Sequence, residues 1–285
     1  MKAMELASPA PAALATESPK RPSPLRELWS FRQLIALLVV RELKVRYKRS
    51  VLGLLWTMLN PLLLMVVYTV VFSTIWRSSF RNFSLFLLSA LLPWLFFNTA
   101  VLQGLFAVIS NQELIRKVRL PQAVFPLSVV GSNLVNFALS LVPLFLVMAA
   151  LDQPFTPALL FLPVAMFILT VFTSGVTLFF ATATVFFRDV RHLVEVMLQM
   201  VMYLSPVFYD LRTLGEPTTW WFPLFKTCLQ LNPLTYMFSL IRDPVYYGRL
   251  PELSTVVIAC SAAVFSLVVG FFFFQRLSPR HIHYL

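Results

Sequence analysis

The sequence has 285 residues, of which 59% are hydrophobic and only 12% charged, with a formal net charge of +11. Soluble domains carry about twice that charged fraction, so an ordinary water-soluble enzyme is excluded and one helical membrane domain is implied. The positive excess reads as topology and contact with anionic lipid rather than nucleic-acid binding.

Residues 1–24 are rich in Ala and Pro but lack an apolar core, which predicts a disordered cytosolic tail and not a cleavable signal peptide. Residues 25–49 are too charged to cross a bilayer, yet they are periodic. On a helical wheel Leu28, Trp29, Ile35, Val39, Val40, Leu43 and Tyr47 gather on one side, with Arg26, Ser30, Gln33, Arg41, Lys44 and Lys48 opposite. This predicts an amphipathic helix in the cytosolic interface, with Arg41, Lys44, Arg46 and Lys48 near lipid head groups. A plain basic flank that fixes topology is the alternative.

Residues 50–275 then read as an all-α transmembrane domain of six helices, with apolar runs at 51–75, 83–110, 122–150, 157–187, 193–210 and 253–274. The runs are continuous rather than alternating, which excludes a membrane β-barrel. Pro61, Pro93, Pro126, Pro143, Pro163 and Pro206 predict kinks in or at the mouths of spans. Residues 211–252, between the fifth and sixth runs, are too apolar for an exposed loop but too often interrupted, by Lys226, Asn232, Arg242 and Asp243, for a full crossing. Short re-entrant or interfacial helices on the outer side fit this stretch, as does an aromatic belt. Residues 276–285 read as a cytosolic tail.

Lys and Arg set the orientation. They crowd the segment before the first run, the 2–3 loop (Arg116, Lys117, Arg119), the 4–5 loop (Arg188, Arg191) and the tail (Arg276, Arg280). The opposite side offsets Arg77, Arg81, Arg212, Lys226, Arg242 and Arg249 with Asp152, Asp210, Glu216, Asp243 and Glu252. Both termini are therefore expected in the cytosol.

The missing chemistry is informative. None of the seven glycines is spaced as a phosphate-binding loop or a dinucleotide fingerprint, so the chain is not expected to hydrolyse ATP unaided. The histidines (His192, His281, His283) have no carboxylate or cysteine partners at metal-ligand spacing, so no metal centre is expected. Cys228 and Cys260 form no redox motif and read as free thiols, with a disulfide as the alternative. Within the runs the polar groups are neutral (Asn60, Asn98, Gln103, Asn133, Asn136, Gln199), which argues against ion coupling and suggests helix–helix hydrogen bonds.

Four blocks in order resemble the ABC-2-type permeases that export O-antigen, capsule and teichoic-acid polysaccharides. They are Arg41 to Trp56 with Asn60-Pro61-Leu62; Asn111 to Pro121 with Pro126-Leu127; Phe187 to His192 with Ser205-Pro206; and Leu231 to Leu234, followed by Arg242 and Pro251. The resemblance covers nearly the whole chain from about residue 25. It implies a homodimer of six-span subunits in the cytoplasmic membrane, with two copies of a separate cytosolic subunit carrying ATP and Mg²⁺ and no cofactor on this chain. The loop from Gln112 to Gln122 takes the place of the coupling helix, with Glu113, Leu114, Ile115, Arg116, Lys117 and Arg119 facing the ATPase. Leu114, Ile115 and Val118 are expected to share one apolar edge; a basic topology anchor is the alternative for this loop. Arg188-Asp189 would make an ion pair or helix-end contact at the close of the fourth run.

A lipid-linked polysaccharide would need a wide, uncharged, aromatic path, because sugar C–H faces stack on rings. Trp94, Tyr203, Tyr209, Trp220 and Trp221 are the candidates, each pairing a ring with a hydrogen-bond donor. The lipid carrier's pyrophosphate would lie near the basic interfacial helix. The rival readings are an ABC-2 exporter of a drug or glycolipid, a membrane-embedded transferase using an outer carboxylate such as Asp210 or Asp243, and a passive channel.

Overall fold

The structure, a computed structural model, describes residues 24–48, 50–75, 82–118, 120–210 and 222–284. The first helices are α1 (Pro24–Ser30), α2 (Arg32–Tyr47), α3 (Leu55–Ile75) and α4 (Phe83–Gly104). A 3-10 turn at Ile109–Asn111 leads into α5 (Gln112–Lys117), followed by α6 (Val124–Ala150). A second 3-10 turn at Pro157–Phe161 opens α7 (Leu162–Phe186), and α8 (Val190–Tyr203), α9 (Phe222–Leu231), α10 (Pro233–Val245) and α11 (Leu253–Tyr284) follow. Among the described residues all regular structure is helical. Hydrocarbon dictates this, since a spanning backbone must satisfy its own N–H and C=O groups and a helix does so within one segment.

Among the described residues four helices are long and apolar enough to cross a membrane: α4, α6, the turn-plus-α7 unit and α11; α3 adds a shorter apolar stretch, Leu55–Val71. The fifth apolar run, expected to cross over 193–210, is not one spanning helix. α8 ends at Tyr203 after 14 residues, about 21 Å of rise against a hydrocarbon core of about 30 Å. Beyond it Ser205, Pro206 and Val207 form a buried turn. Residues 276–285 also differ from expectation, because α11 continues as helix to Tyr284 instead of ending in a tail. Pro163 lies in the first turn of α7, where a missing N–H costs nothing, while Pro61, Pro93 and Pro143 are interior to their helices.

α4 is the hub. It is apolar on every side, and 78% of its apolar window is buried against 17% for α11 at the rim. α4 packs on α3, α6, α7 and α10. Phe96 stacks on Phe137 of α6 at 5.2 Å and Phe97 on Phe172 of α7 at 5.8 Å. In lipid such contacts are held by close packing rather than by release of water. The tightest crossing is α7 on α11. A Cβ on Gly270 would fall 2.0 Å from the Gly175 carbonyl oxygen, and one on Gly175 would fall 2.3 Å from the Ser266 carbonyl. Ser266 Oγ also donates to the Phe172 carbonyl at 3.0 Å. A second, smaller core forms at the α5 end from Leu38, Val108, Ile115, Phe125, Leu178 and Phe274.

The segment expected as one interfacial helix over 25–49 is two helices, broken at Phe31, and Arg49 lies outside the described residues. The residue buried against the bundle is Leu38, which breaks the predicted apolar face, whereas Trp29 and Val40 of that face are exposed. The reason is where α2 docks. Gly131 of α6 accepts Val39 so closely that a Cβ there would come within 2.9 Å of Cγ2, and this selects the stripe Val39, Glu42, Arg46 to face α6. The two short helices before the last span also part company. α9 buries only Phe222 and Leu229, but ten of the thirteen residues of α10 are buried, so α10 belongs to the core rather than to an interface.

Candidate functional site

Three features follow from this frame. The first is a cleft of about 350 Å³ between α2, α3, α4 and α6, lined by Arg46, Tyr47, Trp56, Asn60, Phe96 and Asn136 among others. With α2 seated at Gly131, Arg46 and Tyr47 lie beside Asn133 and Asn136, one helical turn apart on α6. Arg46 Nη1 donates to Asn133 Oδ1 at 3.1 Å and Nη2 to Gln103 Oε1; Tyr47 Oη donates to Asn136 Oδ1 at 3.0 Å. Asn133 Nδ2 in turn reaches Gln103 Oε1 at 3.0 Å, the interhelical bond expected of neutral polar groups.

Arg46 is therefore not on the exposed face where Arg41, Lys44 and Lys48 sit. Arg41, Lys44 and Lys48 are exposed, on a face they share with Leu37, Val40 and Val45. Arg46 turns inward, half-buried, held by two amide oxygens. Burial pushes the Tyr47 phenol above its ordinary pKa, opposed by the Arg46 charge beside it and by its hydrogen bonds to Arg46 and Asn136. A guanidinium next to Trp56 and Phe96 is suited to an anion, beside rings and amides suited to apolar and neutral polar groups. The sequence carried a signal for this: Ile35, Val39, Glu42 and Arg46 are spaced as one helical stripe.

The second feature is the segment between α4 and α6. Glu113, Arg116 and Lys117 are exposed, and Arg119 lies outside the described residues. The apolar edge expected of Leu114, Ile115 and Val118 is split. Ile115 is 8% exposed and enters the second core, Leu114 is half-buried, and Val118 is 47% exposed. Leu114 packs against the same core as Ile115, but α5 ends at Lys117 and the extended backbone of Val118 takes it off the stripe.

The third feature, at the opposite end, was not foreseen. Arg242 is 5% exposed; Nη2 donates to the Pro206 carbonyl at 2.6 Å and the Val207 carbonyl at 3.2 Å, and its guanidinium lies 4.0 Å over the Phe86 ring. Nε approaches Ser89 Oγ at 3.4 Å. Beside it on α10, buried Asp243 pairs with Arg249 at 3.6 Å, and Tyr247 donates to Asp210. Arg242, read in the sequence as one of the groups that interrupt a full crossing, thus pins the turn after α8 to α4.

Of the aromatic residues expected along a substrate path, Trp94 is 3% exposed and tilts against Phe97 at 6.0 Å, so it serves the core. Tyr203 is 63% exposed, and its carbonyl accepts from Tyr209 Oη at 3.1 Å. Trp220 and Trp221 lie outside the described residues. Asp189 sits at the N-cap of α8 without a side-chain capping bond, and the ion pair nearby is Arg191–Glu195, at 2.6 Å on the surface.

The sequence profile described as ABC-2 type transporter matches residues 33–246. Among individual proteins, an O-antigen export system permease protein, RfbA, of Myxococcus xanthus is 38% identical over 241 residues, covering 84% of this chain and 90% of that one. An RfbA of Klebsiella pneumoniae is 31% identical over 87% of this chain and 93% of its own length. The polysialic acid transport protein KpsM of Escherichia coli is 22% identical over 76% and 83%.

Proposed function

The chain belongs to the ABC-2 type transporter family, as a membrane permease and not an enzyme, and we propose that it exports a lipid-linked polysaccharide of O-antigen, capsule or teichoic-acid type. Two copies would form the pathway across the cytoplasmic membrane, with two cytosolic ATPase subunits supplying ATP and Mg²⁺. Each subunit would cross six times, α3 being the first crossing and α8 with its turn the fifth, with both termini in the cytosol. The substrate class comes from the relatives named above, whose full length the chain nearly spans.

The observation that carries the reading is the cleft. A polymer must slide without being gripped, which favours rings and neutral amides over charge pairs, and the cleft offers Trp56, Phe96, Asn60 and Asn136. Arg46, the one cation lining it among the described residues, suits the phosphate that joins glycan to lipid. Arg41, Lys44 and Lys48 would lie on the anionic leaflet, and Tyr203 and Tyr209 would face the path near the far side. Glu113, Leu114, Arg116 and Lys117 would meet the ATPase, so that ATP binding biases the bundle between two access states.

The test is to co-express the chain with an ABC ATPase subunit, purify the complex, and measure ATP turnover and glycan reaching the cell surface. Leu114→Asp is the variant of choice, because Ile115→Asp would bury a charge in the second core. A stable two-plus-two complex whose glycan export collapses in Leu114→Asp supports the reading. Transport or modification of lipid-linked sugar by the chain alone would overturn it.

A further inference from the structure

At the α5 end three helix termini meet at one side chain. His281, near the end of α11, is fully buried, and its Nδ1 lies 2.7 Å from Gln122 Oε1, a partner 159 residues away in sequence. With the Gln122 carboxamide oxygen facing the ring, Nδ1–H is the donor of this bond. The ring stands edge-on to Phe274 of its own helix at 5.4 Å and to Phe186, the last residue of α7, at 5.6 Å. Gln122, 7% exposed, lies in the short return from α5 into α6, next to fully packed Ala123 and Val124.

Packing alone does not account for a histidine here. Nε2 is buried with no hydrogen-bond partner among the described residues, so the imidazole bears a desolvation cost that a phenylalanine among these rings would avoid. What the histidine adds is the bond to Gln122. That bond adds a polar, directional tie to a segment whose neighbours Ala123, Val124 and Phe125 are buried in the same core as Ile115 of α5 and Phe274 of α11. Ile115 and Gln122 thus flank the α5 loop, the first buried in the core that Phe274 shares and the second bonded to His281.

We propose that His281 is a positioning residue for the coupling segment. Its bond to Gln122 clamps the α5–α6 return to the ends of α7 and α11, so that a displacement of α5 is passed to those helices together. The inference rests on the reading that α5 meets an ATPase subunit.

The decisive experiment compares His281→Phe, Gln122→Leu and His281→Asn in the permease–ATPase complex. His281→Phe fills the space without the bond, and His281→Asn returns an N–H near the position of Nδ1. The first two should assemble and turn over ATP while glycan exported per ATP falls by roughly 2- to 30-fold, the range for residues that carry coupling between sites. His281→Asn should recover most of that loss. A second measurement needs only the permease: spin labels on Cys placed at the exposed positions Lys117 and Arg276, with Cys228 and Cys260 changed to Ser. The distance distribution should broaden in His281→Phe and narrow again in His281→Asn. Should His281→Phe fail to fold, Gln122→Leu carries the same expectation from the other partner. An unchanged distribution overturns the proposal, as does broadening with undiminished export per ATP. If no ATPase complex can be recovered, the exporter reading fails instead, and the distances still decide whether the clamp exists.

Discussion

Two arginines enter the helix bundle from opposite ends, Arg242 beside α4 at its start and Arg46 beside α4 at its finish, and their surroundings differ in kind. Arg242 is sealed: two backbone carbonyls accept from it, a phenylalanine ring lies beneath it, and it is 5% exposed. Arg46 is half-buried, and the oxygens it touches belong to Gln103 and Asn133, amide side chains that can swing away. One faces packed protein and the other an open cleft. Backbone acceptors in a closed site make a fixed strut, whereas exchangeable acceptors at a cleft edge make a contact that an anionic ligand can take over.

The sharpest way to break this comparison is Arg242→Ala. It should cost about 3 kcal/mol or more, leaving the Pro206 and Val207 carbonyls without their donor in a sealed site, and the folded subunit should be lost from detergent extracts. If Arg242→Ala purified and melted like the parent, the strut reading would be wrong. Arg46→Gln should spare the fold, shifting stability by less than about 1 kcal/mol, yet lower glycan export roughly 10- to 100-fold, the worth of a charge-assisted hydrogen bond. Asn133→Leu sharpens the contrast by removing part of the Arg46 cradle but not the charge; we expect export to fall by roughly 2- to 10-fold at unchanged expression, less than in Arg46→Gln because Gln103 still accepts from the guanidinium. The smallest effect belongs to Lys44→Gln with Lys48→Gln. These exposed cations should change export by less than about fivefold each, through weaker membrane attachment, and raised salt should mask the difference. Equal losses in the lysine and Arg46 variants would show that the α2 cations act as one basic patch.

Long-range geometry is where the sequence stops being readable. α4, α6, α7 and α11 are written in continuous apolar runs, and that pattern needs no partner to be recognised. α2 was half legible. Its charge and periodicity marked a helix that does not cross, but which stripe faces inward depends on Gly131, far along the chain on another helix. Arg242 offered less still, because the carbonyls that receive it lie 35 and 36 residues earlier and the ring beneath it lies on α4. The same holds for α10, whose polar residues suit an interfacial helix while its packing on α4, α7 and α11 buries them. Trp94 misled for the opposite reason: a tryptophan in a span suits a path wall and a core equally, and only the crowding of α4 decides.

The contact of Gly175 with Gly270 has a mechanical consequence. Where two helices touch backbone to backbone, no layer of side chains remains between them to slide, so α7 and α11 can move only as one body. α3 is held quite differently. It contacts α4 and α6, while Leu63, Val66, Val67 and Val70 along its length stay uncovered by the rest of the subunit. Any displacement reaching α7 or α11 must therefore carry both, whereas α3 meets its own subunit along one side only.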